Sequence, residues 1–205
     1  MTNWQRTSAL QTCRAGAQEA HAGTPGLCIR ELPFSGKLLL QARGQIDHIR
    51  RAVSDIIGSE LPINPNTCSL IDDTHTGAAL LWLGPEKWLI ISDPDRLGEI
   101  QQQLKTSLST IPSLLADVSD ARTGIEVSGT LARALMAKVC ALDLDSDSFG
   151  PGLCAQSLLV RVPLLVYQVD DLPTYHLYVD RSVARYAWDW LSDAAGEFIN
   201  SETAK

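Results

Sequence analysis

Between Lys37 and Phe198 the apolar positions switch repeatedly between a spacing of two and a spacing near 3.6, which predicts strands alternating with helices. The first strand covers Lys37–Ala42. A helix follows over Ile46–Ile57, with Ile46, Ile49, Val53, Ile56 and Ile57 on one face and Gly58 placed to end it. Residues 61–69 carry Pro62, Asn64, Pro65 and Asn66; proline removes backbone donors and restricts its predecessor, so this stretch is a long loop. Two apolar runs, Ala78–Leu83 and Lys87–Ser92, bracket Gly84-Pro85-Glu86 and predict a β-hairpin. Asp93 then caps a helix with Pro94 in its first position and Leu97, Ile100, Leu104 and Leu108 at helical spacing.

A second round has a similar order. It contains a strand near Thr123–Val127, a helix near Thr130–Val139, and strands at Ala155–Arg161, Leu164–Val169 and Tyr175–Val179. A final helix over Ser182–Phe198 places Val183, Ala187, Trp190, Leu191, Ala194 and Phe198 on its apolar stripe. The repeated order predicts an α+β fold of two pseudo-repeated halves, with mainly antiparallel sheets backed by helices. Residues 27–200 then form one unit with halves at about 27–115 and 116–200. Residues 1–26 lack apolar periodicity and read as an N-terminal arm ordered mainly by contact with something else, and 201–205 read as a tail.

Apolar residues make up 45% of the 205, enough for a substantial core, while 17 basic against 24 acidic residues give a net charge of −7. That balance repels a phosphate backbone, so nucleic acid is not an expected partner. The first 25 residues lack the basic start and apolar stretch of an export signal, and the most apolar run, Leu158–Val169, is too short and too interrupted to span a bilayer. Five scattered cysteines (Cys13, Cys28, Cys68, Cys140 and Cys154) form no close pair in sequence and suit reduced thiols, so a cytoplasmic location is expected.

Chemistry-bearing motifs are few. His21, His48, His75 and His176 each lack a second His or Cys at ligand spacing. Asp143, Asp145 and Asp147 imitate the opening of a calcium loop, but Ser148 stands where its turn needs Gly, and Cys154 where it needs a bidentate Glu. No phosphate-cradling glycine motif occurs, and Pro151 within Gly150-Pro151-Gly152 removes a donor such a cradle would use. There is no nucleophile elbow either, and Cys140 near Asp143 is an environment that keeps a thiol protonated, which suits a packing role. The run Asp117–Thr123, which includes Asp120 and Arg122, reads as an ion pair across a turn or at an interface. Arg181 before the last helix invites the same reading.

Trp82, Trp88, Trp188 and Trp190 are either core residues or interface anchors. With Trp190 on the buried stripe, Trp188 points roughly 160° away and predicts a docking surface, each residue turning about 100°. Trp188, Arg181, Arg122 and Trp82 are therefore the candidate subunit-interface residues, and no catalytic, cofactor-binding or metal-binding residue is assigned.

Four segments taken together resemble the γ subunit family of heterotetrameric sarcosine oxidase, which is related to the aminomethyltransferase folate-binding domain. They are Leu81-Trp82-Leu83-Gly84-Pro85-Glu86-Lys87-Trp88, Asp117–Thr123, Ala137–Leu144 and Arg181–Leu191, with the Phe149–Ala155 loop lying between the last two. The resemblance covers most of residues 30–199. It implies a non-catalytic structural subunit, partnered by α, β and δ subunits, in an assembly that oxidises N-methylglycine with O₂. The products implied are glycine, hydrogen peroxide, and formaldehyde or methylene-tetrahydrofolate. It further implies that FAD, FMN, NAD and zinc reside in the partner subunits.

A stand-alone folate-binding protein of the same superfamily is the main alternative. Its K-G-C-[YF]-x-G-Q-E signature begins plausibly at Lys138-Val139-Cys140 but continues Ala141-Leu142-Asp143, without the Gly, Gln or Glu. An aminomethyltransferase would need a catalytic Asp and folate-binding residues that no motif locates here.

Overall fold

The computed structural model describes residues 7–11, 26–32, 34–71 and 78–202. Its elements in chain order are β1 (Cys28–Glu31), β2 (Gly36–Ala42), α1 (Ile46–Ile57), β3 (Cys68–Leu70), β4 (Ala79–Gly84), β5 (Lys87–Ser92), α2 (Pro94–Ser107) and β6 (Ser113–Asp117). Then come β7 (Arg122–Ser128), α3 (Ala132–Val139), β8 (Cys154–Leu159), β9 (Val162–Asp170), β10 (Thr174–Asp180), a 3₁₀ turn at Arg181–Val183, and α4 (Ala184–Glu202).

The predicted elements are present and their local chemistry is visible. Gly58 ends α1 in the left-handed conformation at φ 84°, and its N–H donates to the Ser54 carbonyl at 2.8 Å. Asp93 caps α2 by accepting from the Asp95 N–H at 2.8 Å, with Pro94 as the first helical residue. β8 is shorter at its end than the apolar run predicts, because Val160 and Arg161 turn the chain into β9.

Two five-stranded sheets form, one in the order β3-β4-β5-β2-β6 and the other β1-β7-β10-β9-β8, with antiparallel ladders throughout both. β1, β3 and β6 are edge strands of three to five residues that the apolar pattern does not signal. Their pairing comes from the long strand beside each of them. β1 precedes the first sheet in sequence yet joins the second, so the chain of the first half crosses into the layer of the other. Gly129 makes that crossing possible: its φ is +107°, and a Cβ there would lie 2.4 Å from the Gly26 carbonyl oxygen.

Strand alternation sorts the apolar side chains into three layers. Leu38, Leu40, Leu80, Trp88 and Ile90 point from the first sheet onto α1 and α2. Ile125, Val127, Leu164, Val166, Tyr175, Leu177 and Val179 point from the second sheet onto α3 and α4. The opposite faces meet in a middle layer containing Ala79, Leu81, Leu83, Leu89, Ile91, Leu165, Tyr167 and Tyr178. The order is therefore helices, sheet, sheet, helices. Each fully buried Leu, Ile or Val contributes roughly 1.5–3 kcal/mol, and three such layers explain why a chain of this length holds both sheets together.

Part of the N-terminal arm is pinned to its own chain. Leu10 is buried in the α3–α4 layer, Ser8 Oγ donates to Glu31, and Arg181 Nη2 donates to the Thr7 carbonyl. Cys13, His21 and His75 lie outside the described residues.

α4 corrects the helix phase expected from sequence. Its buried stripe is Ala184, Ala187, Trp188, Leu191 and Ala195, so Trp188 lies in the core at 5% exposure and Trp190 faces outward at 41%. Tyr186, Asp193 and Glu197 share the helix face of Trp190, whereas Ala184, Leu191 and Ala195 share that of Trp188. Burying Trp190 would drag carboxylates into the core, so the helix rolls the other way.

Candidate functional site

A polar network of Glu126, His176 and Tyr167 lies buried between the sheets, with the half-exposed Arg30 at its edge. β7 presents Glu126 toward the inter-sheet layer, because Ile125 and Val127 beside it point to the helices. Arg30 on β1 grips its carboxylate bidentately, Nε to Oε1 at 2.7 Å and Nη2 to Oε2 at 2.6 Å. His176 Nε2 lies 3.3 Å from Oε2, and the Tyr167 hydroxyl lies 2.8 Å from His176 Nδ1. A carboxylate only accepts, so His176 Nε2 donates to Glu126, and Nδ1 shares a hydrogen bond with the Tyr167 hydroxyl.

Burial pushes the Glu126 carboxyl up, but hydrogen bonds from His176 and Arg30 outweigh it and hold the group down at about 2. Burial also raises both phenols, Tyr178 to about 12, and the two rings stack with centroids 6.3 Å apart. A carboxylate fixed as an anion and phenols fixed as neutral do not exchange protons near neutral pH. The network therefore acts as a brace across β1, β7, β10 and β9.

The acidic loop satisfies itself. Asp143 Oδ1 accepts from the Asp145 N–H at 3.0 Å and Oδ2 accepts from Ser148 Oγ at 2.9 Å. The bond from Asp145, then that from Ser148, lowers the Asp143 carboxyl. Among the described residues no group of three or more His, Cys, Asp or Glu is arranged to hold a metal ion. No described helix is long and apolar enough to cross a membrane.

Two of the four candidate interface residues come together. Arg122 begins β7 opposite Asp180, and Arg181 follows it, with its N–H donating to the Ala121 carbonyl at 2.9 Å. Both arginines line a small cleft shared with Phe34, Lys37, Asp120 and Ala9 of the arm. The Lys37 ammonium is buried there, donating to the Ser35 and Ser119 carbonyls at 3.2 and 3.3 Å and lying 5.7 Å from the Tyr178 ring centroid. Asp117, at the start of the same turn, accepts from the Ser119 N–H at 2.9 Å.

The other two candidates lie elsewhere. Trp82 is half-buried on the helix side of the first sheet, paired across the hairpin with Trp88, whose indole N–H donates to the Pro62 carbonyl at 2.7 Å. Trp188 is inside the second-sheet core. What the sequence reading missed is the outward pair Tyr186 and Trp190, and the signal for it was their i, i+4 spacing beside the charged Arg185, Asp189 and Asp193.

The surface thus carries two exposed aromatics in contact on one helix face and a cleft edged by two arginines, over a braced interior. One relative, the sarcosine oxidase subunit gamma of Corynebacterium sp. (strain P-1), is 28% identical over 203 residues, covering 99% of this chain and 96% of that one. The subunit of the same name from an Arthrobacter species is 28% identical over 208 residues, with the same coverage. Among solved structures, a chain of heterotetrameric sarcosine oxidase from Corynebacterium sp. U-96, in complex with pyrrole 2-carboxylate, superposes with a TM-score of 0.80 and 26% identity. That match covers 94% of this chain and 96% of the other. The glycine cleavage system aminomethyltransferase T of Bartonella henselae shares the fold, with a TM-score of 0.65 at 10% identity over 91% of this chain and 56% of that one. Residues 45–197 match the profile of the sarcosine oxidase, gamma subunit family, and the chain belongs to that family.

Proposed function

We propose that this chain is the γ subunit of a heterotetrameric sarcosine oxidase and serves there as a structural part without a catalytic group. In this reading the assembly oxidatively demethylates sarcosine with O₂ to glycine, hydrogen peroxide, and formaldehyde or 5,10-methylenetetrahydrofolate. The partners are the α, β and δ subunits; FAD, FMN, NAD and zinc belong to them, and the location is cytoplasmic. Residues 27–200 act as one unit, with the arm and the arginine cleft at its edge.

The observation that carries the reading is likeness over nearly the whole chain to one chain of such an oxidase. The internal geometry supports it: Glu126, His176, Tyr167 and Tyr178, which elsewhere could do acid–base work, are closed off and mutually satisfied. The exposed aromatic pair on α4 and the Arg122–Arg181 cleft are then the surfaces offered to partners, with the half-buried Trp82 on the opposite side of the molecule.

The test is to capture the chain from its native cells under mild conditions, identify its companions by mass spectrometry and record a visible spectrum. Three companion chains and flavin absorption bands are the expected result. A colourless chain recovered alone that binds folate would overturn the reading in favour of a stand-alone folate-binding protein.

A further inference from the structure

We propose that Cys68 and Cys154 are a thiol pair that a hydroperoxide converts into a reversible disulfide linking the two sheets. The pair is invisible in sequence and is made by topology. Cys68 opens β3, the edge strand of the first sheet, and Cys154 opens β8, an edge strand of the second. The two edges touch at an antiparallel bridge between Thr67 and Leu153. Two hydrogen bonds frame it, from the Cys68 N–H to the Gly152 carbonyl at 2.8 Å and from the Cys154 N–H to the Asn66 carbonyl at 2.9 Å. Alternate residues of an antiparallel pair share a face, so Cys68 and Cys154 both point away from Thr67 and Leu153 and stand as diagonal neighbours.

Their side chains meet there. The Cys68 thiol is hydrogen-bonded to Cys154, whose Sγ lies 3.1 Å from the Thr67 carbonyl and 3.5 Å from that of Trp82. Both thiols are reduced in this structure and buried in the layer between the sheets, at 7% and 0% exposure. The other described cysteines are placed apart from them: Cys28 is on β1, and Cys140 ends α3 with its thiol 3.6 Å from Ser157 Oγ. The hydrogen bond from Cys68 favours the thiolate of Cys154, while that bond and then burial push Cys68 up. Either sulfur can attack first with the other resolving, and the balance is the same in both orders.

The chemistry balances with the peroxide as oxidant. With Cys154 first, its sulfur attacks one peroxide oxygen, the O–O bond breaks, and the thiol proton leaves with the departing oxygen as alcohol or water. Cys68 sulfur then attacks the resulting sulfenic sulfur, the S–O bond breaks, and water leaves with the second thiol proton. Two electrons pass from the two thiols to the peroxide. Access comes through β3, which has only three residues, is held by the β4 ladder on one side and by the short bridge to the second sheet on the other, and opens more readily than the central strands. Closing the bond requires bringing the sulfurs to roughly 2 Å, a movement that so short an edge strand permits.

The test treats the full-length native chain with hydrogen peroxide, quenches with an alkylating agent under denaturing conditions, and maps the non-reduced digest. The expected product is lighter by about 2 Da, holds the Cys68 and Cys154 peptides joined, and reverts with dithiothreitol. Its melting midpoint is higher by about 5–10 °C, because the link closes a long loop. In Cys68→Ser the joined peptides are absent and Cys154 gains oxygen, about 16 or 32 Da, instead. The proposal is overturned if Cys68 and Cys154 remain alkylatable after treatment, or if either is joined to a different cysteine. Should Cys68→Ser fail to fold by circular dichroism, the wild-type peptide map alone decides.

Discussion

The rings of Tyr186 and Trp190 meet on the outer face of α4, with centroids 6.2 Å apart and planes tilted by 59°. Arg185 and Asp189 pair beside them at 3.6 Å. The two aromatics are 37% and 41% exposed, which leaves apolar surface in water for a partner to cover. In the proposed assembly, the double substitution Tyr186→Ala with Trp190→Ala weakens association by about 10–1000-fold while the melting midpoint of the isolated chain shifts by no more than about 2 °C. Gel filtration of the assembly and a thermal melt of the free chain check both halves of this expectation.

Trp188→Ala behaves in the opposite way. This indole fills the core beneath α4 among Ala184, Leu191 and Ala195, and truncating it leaves a cavity costing about 3–5 kcal/mol. A urea titration of the free chain is expected to show the loss directly. Any weakening of assembly by this variant follows from unfolding rather than from a lost contact.

Glu126 makes stability depend on pH in a calculable direction. Its folded carboxyl sits at about 2, below an ordinary value of 4.5, so its contribution is complete above about pH 5 and is lost as pH falls through 4.5 toward 2. The loss is at most about 3 kcal/mol and nearer 1–2 kcal/mol once solvent screening at the half-exposed Arg30 is allowed for. Denaturant midpoints measured between pH 6 and pH 3 are expected to fall less steeply for Glu126→Gln than for the wild type. At pH 7 that variant is itself less stable by about 1–3 kcal/mol, because the charge is lost and one of the two oxygens that accept from Arg30 and His176 is replaced by an NH2 donor.

Gly129→Ala tests the strand exchange. The new methyl group would overlap the Gly26 carbonyl, and the backbone would hold a positive φ that alanine disfavours, so a loss of about 2 kcal/mol or more is expected. Hydrogen exchange is expected to localise the damage to β1 and the end of β7, whose registers meet at Cys28 and Ser128.

Sequence pattern alone determined the long elements, because their signals are local. The Ile46–Ile57 stripe, the cap at Asp93-Pro94 and the Pro85-Glu86 turn each act within a few residues of themselves. The α+β class follows from their order, and the family from the motifs they carry. Tertiary structure decided the rest. β1, β3 and β6 are strands only because a longer strand lends them its edge, and the same is true of the contact between Cys68 and Cys154, 86 positions apart. Arg122 and Arg181 share a cleft because β7 and β10 pair antiparallel, bringing the start of one to the end of the other. The roll of α4 was within reach of the sequence, since the carboxylates around Trp190 already argued against burying it. Yet only packing against the second sheet, where Ala184, Ala187 and Ala195 allow close approach, makes one face of a helix with two tryptophans the inside.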